Sequence, residues 1–324
     1  MDLLRDADID PSPLAGKRVA IIGFGNQGRA QALNLNDSGI DLVVGLQPGS
    51  PSAAEVEGSG ITHLPPAEAV SSADLIMLLA PDETLAEIYA EIEPYIRKGA
   101  ALGFSHGLAI RFGLIAPRDD LDVIMVAPKG PGTALRSLYQ GGRGMIALWA
   151  VAQDASGSAR ELALAYGSAI GCARAGLIAS SFEEECDADL FNEAAVVWGA
   201  VPEILIAGFD TLVAGGISPE VAYMECVGEL KLLAELVEAR GIAGMREAIS
   251  NTAELGATLG GPRIVDDTLR GRMTEILGSI RSGAFADELR REYREDYPRL
   301  RAARLRAREL KVEQAAAAIA ALKP

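Results

Sequence analysis

Along the first half of the chain, short apolar runs alternate with stretches of helical period. The runs are RVAIIG (18–23), DLVVGL (41–46), DLIMLLA (74–80), ALGFS (101–105), DVIMVAP (122–128) and MIALWAV (145–151). They are rich in Val, Ile, Leu and Met and are bounded by turn-forming residues, as buried strands are. Between them, GRAQALNLNDSG (28–39) and DETLAEIYAEIEPYIRKG (82–99) repeat apolar residues at helical spacing. Strands alternating with helices predict a mostly parallel sheet covered on both faces.

From Ser181 onward no strand pattern is present. Helical periodicity runs through 182–200, 202–214, 219–239, 243–255, 266–281 and 284–316, punctuated by Gly215 and Gly216, by Gly241, and by Gly260, Gly261 and Pro262. The expected fold class is therefore α/β for residues 1–180 and all-α for residues 181–324. The length of 324 residues suits one large or two ordinary domains. The charged run at 288–310 reads as a solvated, salt-bridged face of one last helix.

Composition narrows the function. The formal net charge of −15 argues against a nucleic-acid partner. The segment 194–209 is apolar but interrupted by Pro202 and Glu203, so no membrane span is expected. Met1 to Asp10 is acidic and lacks the apolar core of a signal peptide. Cys172, Cys186 and Cys226 are widely spaced in apolar contexts and read as buried reduced thiols of a cytoplasmic protein.

The first chemical signal is the turn GFGNQG, with Gly23, Gly25 and Gly28 in a G-x-G-x-x-G pattern. It follows a strand and opens a helix, the context that gives the pattern its value. Gly23 permits the tight turn, Gly25 lets backbone approach a pyrophosphate, and Gly28 lets helix pack on strand. A Rossmann-type dinucleotide site is expected, with Phe24, Asn26, Gln27 and, from the VAPKGPG segment, Gly132 beside the glycines. The second strand ends without the Asp or Glu that holds an NAD ribose; none precedes Glu55. Ser50 and Ser52, near Gln47, are candidates for a 2′-phosphate. NADP is thus favoured; NAD stays open, because no Arg or Lys accompanies them.

His106 and Lys129 each lie just past the C-terminal end of a strand, where ligands bind in open α/β sheets. Proton relay by His106 and proton transfer or oxygen polarisation by Lys129 are the expected roles. Residues 175–230 hold eleven Asp or Glu and no Lys or Arg. Two carboxylate pairs there, Asp189 with Glu193 and Glu225 with Glu229, share a helix face at i,i+4 spacing. Partly buried acids without a cation repel each other, and two Mg²⁺ ions would neutralise them with oxygen-only ligation. Glu185 lies on the face of the first pair.

The segments GFGNQGRAQALNLNDSG, SHG, VAPKGPG, DLFNE, ECVGELKL and ISNTAELG stand in one order over residues 13–290. In this the chain resembles the ketol-acid reductoisomerases, most closely their short, class I form. The resemblance implies Mg²⁺ on Asp189 and Glu193 of one subunit and on Glu225 and Glu229 of its partner. It implies Ser250 at the substrate carboxylate, Lys129, His106 and Glu185 in the active site, and Glu229 assisting as a base. It also implies a knotted helical C-terminal domain forming an intimate homodimer or a larger homo-oligomer. The implied substrate is a 2-hydroxy-2-acyl acid, 2-acetolactate or 2-aceto-2-hydroxybutyrate, in valine and isoleucine biosynthesis. The chain departs from the pattern at Gln47, Ala109, Ala152 and Ala194. Two rivals stand beside this expectation: a reductase of a 2-keto acid or imine without isomerisation, and a dinucleotide-binding module without turnover.

Overall fold

The computed structural model describes residues 2–322. The chain divides into two compact units, Met1–Ala188 and Asp189–Pro324.

In the first unit the strands are β1 (Leu3–Leu4), β2 (Val19–Ile22), β3 (Leu42–Gly45), β4 (His63–Leu64), β5 (Leu75–Leu78), β6 (Ala101–Phe104), β7 (Asp122–Pro128), β8 (Ala147–Gln153) and β9 (Leu177–Ala179). They form one sheet in the order β1-β9-β8-β7-β6-β5-β2-β3-β4. The segment from β4 through β7 is parallel, and β8 returns antiparallel to β7. Strand order reverses at β2, with β3 on one side and β5 on the other, so the crevice of a doubly wound sheet opens above β2.

The expected strands fall within a residue or two of those found, the last being shifted to 147–153 from the expected 145–151. The short β1, β4 and β9 were not foreseen, since two or three residues carry no period. His63, expected in a loop, lies on β4, and its Nε2 is 3.0 Å from Glu57.

Helices α1 (Asn26–Asp37), α2 (Ala53–Gly58), α3 (Pro66–Ser71), α4 (Leu85–Ile92), α5 (Leu108–Arg111), α6 (Gly132–Gln140) and α7 (Ala159–Ala169) cover the two faces. Alternate strand residues enter opposite cores, because successive Cβ atoms point to opposite faces. Val19, Ile21, Leu75 and Met77 join one buried cluster, and Ala20, Ile22, Ile76 and Leu78 the other. Burial on both faces is why these strands read as unbroken apolar runs.

The helical region comprises α8 (Phe182–Phe191), α9 (Ala200–Ala214), α10 (Pro219–Tyr223), α11 (Leu230–Ala248), α12 (Asn251–Ile264), α13 (Asp267–Arg281), α14 (Ala284–Arg294), α15 (Pro298–Arg308) and α16 (Lys311–Ala321). Two expectations are corrected here. Pro202 and Glu203 do not interrupt the helix, which runs from Phe182 to Ala214. The helical run opens into a turn at 197–199, so Pro202 falls in the first turn of α9, where its missing N–H is tolerated. By length and composition alone this helix could cross a membrane. The segment 284–316, expected as one helix, is broken into three. Asp296 and Tyr297 take left-handed φ of 63° and 58°, and Pro298 then starts α15.

Phe209, Ala222, Val312 and Ala315 form a small buried cluster in the second unit. Much of its apolar surface is uncovered: Trp198 is 65% exposed, Leu232 58%, Ile242 64% and Leu259 65%.

Candidate active site

The glycine turn has the form its residue types require. Gly23 sits at φ 98°, and a Cβ there would lie 2.9 Å from the Ala80 nitrogen. A Cβ on Gly28 would collide with the Gly23 carbonyl, and one on Gly132 with the Asn26 carbonyl. A Cβ on Gly25 would meet nothing within 4 Å. Gly25 is the N-cap of α1 and offers no side-chain cap, so the first helical N–H groups face open space above the turn. Asn26 Oδ1 accepts from the Thr133 backbone at 3.2 Å, and Gln27 Nε2 donates to the Gly130 carbonyl at 2.9 Å. The loops after β2 and β7 are thereby tied together. Phe24 is buried beneath them. This is a concave, backbone-lined cradle of the kind a pyrophosphate fills.

Gln47, Ser50 and Ser52 follow β3. The Ser50 N–H donates to the Gln47 carbonyl at 3.0 Å around Pro48 and Gly49, with Gly49 at φ 79°. The Ser52 N–H donates to Ser50 Oγ at 3.3 Å. Gln47 Nε2 donates to Glu91 of α4, at 3.0 Å from Oε2 and 3.3 Å from Oε1. Sequence reading missed Glu91, because it lies 44 residues beyond Gln47 on a different element.

The loop after β6 and the loop after β7 meet on one carboxylate. Glu185, on α8, is 1% exposed. Its Oε2 lies 3.0 Å from His106 Nδ1 and accepts the Gly107 N–H at 2.8 Å. Its Oε1 accepts from Lys129 Nζ at 3.0 Å. Gly107 is required, because a Cβ there would strike the Phe182 carbonyl at the start of α8. Ser105 Oγ donates to the Val126 carbonyl at 2.9 Å, and Gln31 Nε2 donates to Ser105 Oγ at 2.9 Å. These bonds hold the His106 loop against the sheet.

Burial opposes charge on both partners of this cluster. It pulls His106 down, but hydrogen bonds to Cys186 and Glu185 and the Glu185 charge raise it well above its ordinary value. Burial pushes Glu185 up, but His106 and Lys129 hold it below the usual carboxylate range. The result is a charged, bifurcated ion pair placing an ammonium and an imidazolium at the carboxyl ends of adjacent strands. Cys186 was expected only as a buried thiol. It is fully buried, and burial is the main cause of its raised pKa. Cys226 is only half-buried.

Asp189 follows Glu185 by one turn of α8. In the second unit Glu193, Glu225 and Glu229 are exposed and Asp189 is half-buried. The expectation of acids desolvated inside an apolar core is therefore not met within one chain, because Met224 and Leu230 beside them are also exposed, 45% and 37%. Among the described residues, Glu193, Glu225 and Glu229 do not join one cluster of three ligand atoms within the chain.

One member of each pair lies in a π-helical segment, Glu193 in Asn192–Val196 and Glu225 in Met224–Gly228, while Asp189 and Glu229 lie just outside. Such segments are rare and concentrate at functional sites. Wide i→i+5 turns change the angle between residues four apart, so each pair departs from plain α-helical register. Gly199 accommodates the first: a Cβ there would collide with the Ala194 carbonyl five residues back. An oxygen-only donor set without a cation over 175–230 is chemistry that suits magnesium.

Ser250 is the N-cap of α12, its Oγ accepting from the Ala253 N–H at 3.2 Å. Of the departures noted above, Ala109, on α5, is fully buried in the core on one face of the sheet. Ala194 borders a groove of about 400 Å³ with Trp198, Leu269, Met273 and Ile276.

A dinucleotide-type turn, a Lys–Glu–His cluster at the strand ends and a separate helical unit define a nicotinamide-dependent oxidoreductase of Rossmann type. The comparisons make the class specific. Residues 13–176 match the family model for the acetohydroxy acid isomeroreductase NADPH-binding domain, and residues 182–324 that for the ketol-acid reductoisomerase C-terminal domain. The chain belongs to the ketol-acid reductoisomerase family. It is similar over 100% of its length to an NADH-preferring ketol-acid reductoisomerase from an uncultured archean, covering 99% of that chain at 42% identity and a TM-score of 0.96. A semialdehyde dehydrogenase NAD-binding protein from Cupriavidus necator matches at 20% identity and a TM-score of 0.60, over 82% of this chain and 99% of that one. A pyrroline carboxylate reductase from Plasmodium falciparum matches at 13% identity and a TM-score of 0.54, over 84% and 98%. These last two share the fold alone.

Proposed function

We propose that this protein converts 2-acetolactate, or 2-aceto-2-hydroxybutyrate, to the 2,3-dihydroxy-3-methyl acid by alkyl migration followed by reduction. The observation that carries this reading is the Glu185 carboxylate joining His106 and Lys129, in a chain of this family whose two carboxylate pairs each have one member on a π-helical segment. In this reading residues 1–180 bind the dinucleotide and residues 181–324 supply metal ligands and the dimer surface.

Asp189, Glu193, Glu225 and Glu229 are the residues that would hold two magnesium ions. Bound magnesium supplies Lewis acidity to the substrate oxygens, and bound nicotinamide supplies the hydride. Lys129 Nζ holds a proton beside Glu185 for delivery to the substrate oxygen that the reduction leaves anionic. His106 relays protons to the Glu185 cluster, and Glu229 assists in removing the substrate hydroxyl proton. Ser250 binds the substrate carboxylate; its Oγ already orients toward backbone N–H at the α12 terminus. Gly25 keeps a side chain out of the pyrophosphate's path, while Gly23 and Gly28 let the turn and helix pack closely beneath it.

The exposed apolar face around Trp198, Leu232 and Leu259 supports an obligate homodimer, with the Glu225 pair completing its partner's site. The knotted helical arrangement implied by the resemblance is part of this proposal, as is a cytoplasmic location. The same face accounts for a helix apolar enough to cross a membrane. The reductant is a nicotinamide dinucleotide, and the 42% identical relative is NADH-preferring.

The test is oxidation of NADH and NADPH with 2-acetolactate, with and without Mg²⁺. Turnover that requires Mg²⁺, and that Glu225→Gln abolishes while cofactor binding stays, supports the proposal. Activity on a simple 2-keto acid but none on 2-acetolactate would replace it with the plain reductase.

A further inference from the structure

The strand end that would bear an acid in an NAD site lacks one in sequence, and this favoured NADP. The tertiary structure delivers an acid to that place from elsewhere. The β3 end carries Gln47, the Pro48–Gly49 turn and Ser50. Glu91, on α4 after β5, reaches across and takes the Gln47 amide with both carboxylate oxygens, at 3.0 and 3.3 Å. Strands β3 and β5 flank β2, whose C-terminal turn carries the glycines, so Gln47 and Glu91 bracket the rim of the crevice above that turn.

The nearby cation is already matched. Arg29, on the helix opened by the glycine turn, pairs with Glu55 on α2. Loop 46–52 itself contains no Arg or Lys. The rim therefore presents a carboxylate and no uncommitted cation from that loop.

We propose that Glu91, held by Gln47, is a specificity-determining residue that makes this protein prefer NADH over NADPH. The inference rests on the dinucleotide reading of the glycine turn. A carboxylate at the β3 end accepts hydrogen bonds from a ribose diol and repels a 2′-phosphate. Gln47 keeps the carboxylate in place and adds no charge. The same geometry explains why a cation at position 47 would not by itself bring NADPH: Glu91 would pair with it.

The test is direct titration of the full-length protein with NADH and with NADPH, read by nicotinamide fluorescence without substrate or Mg²⁺. The wild-type protein is expected to bind NADH roughly tenfold or more tighter than NADPH, as expected for one like charge brought near a phosphate. Glu91→Gln should narrow that ratio at least about fivefold, chiefly by tightening NADPH, and the wild-type ratio should shrink in high salt as the repulsion is screened. Gln47→Arg alone should change the ratio little, and Gln47→Arg with Glu91→Gln should shift it strongly toward NADPH, a non-additive cycle. Equal effects of Glu91→Gln on both cofactors, or a wild-type preference for NADPH, would overturn the inference and leave the dinucleotide site standing. Failure of the wild-type protein to bind either cofactor would overturn both. Glu91 is exposed, so the variant is not expected to disturb folding.

Discussion

Lys129 Nζ lies 3.0 Å from Glu185 Oε1, although 56 residues separate them in the chain. The strand that ends at Pro128 brings the amine, and the first turns of α8 bring the acid. Removing the amine while keeping the side chain's bulk, as in Lys129→Met, should lower kcat/KM roughly 10²- to 10⁴-fold, the range for a lost proton donor. Cofactor affinity measured by fluorescence should change little. Equal loss of cofactor binding would show that Lys129 serves the nucleotide site instead.

His106 and Glu185 set a pH window. The folded protein holds His106 well above its ordinary 6.5, so its contribution to stability is full below 6.5 and fades as pH rises through the folded-state value. It holds Glu185 below its ordinary 4.5, so that contribution is present above 4.5 and is lost as pH falls through the folded-state value. The pair thus contributes fully between about pH 4.5 and 6.5, the two ordinary values. Imidazole NMR should show His106 titrating well above 6.5, and Glu185→Gln should bring it down. A His106 that titrates at or below 6.5 in the wild type would contradict the charged pair.

Gly199 closes the first π-helical segment against the Ala194 carbonyl. Gly199→Ala should force that wide turn to readjust, destabilising the fold by about 1–3 kcal/mol. If the wide turn sets the spacing of Asp189 and Glu193, Mg²⁺ affinity measured by calorimetry should fall as well, while NADH affinity does not. An unchanged Mg²⁺ isotherm would separate the π segment from metal binding.

Trp198 is 65% exposed in the isolated chain. A carboxylate introduced there, Trp198→Glu, should weaken a dimer built on this face. Light scattering should report twice the chain mass for the wild type and a shift toward the single chain mass for the variant. Loss of activity should follow dissociation, since each site would lack its partner's carboxylates. A wild-type protein monomeric at micromolar concentration would remove the shared-site reading.

Much of the nucleotide-binding unit was legible because its signals are local. A parallel strand buried on both faces must be apolar throughout, so Leu75–Leu78 and Val19–Ile22 announce themselves. The glycines at 23, 25 and 28 are legible because their spacing after a strand and before a helix is itself a local pattern. The break at Asp296 and Tyr297 was not legible. Its left-handed residues are non-glycine, and a salt-bridged charge pattern continues across it. The π segments were equally hidden, because an apolar period of 3.6 is little disturbed by one extra residue per turn.

Residue type and spacing alone determined the alternating α/β half, the helical half, the dinucleotide turn and the candidates Lys129, His106 and the four carboxylates. Each of these depends on period, turn chemistry or backbone space within one element. The tertiary structure decided which groups meet. It bound His106 and Lys129 to Glu185 and left Glu193, Glu225 and Glu229 at the surface of the single chain. It also carried Glu91 to a strand end that has no acid of its own. Those outcomes depend on how elements distant in sequence pack together. A carboxylate's field acts through space, and so its effect could be read only once the chain was folded.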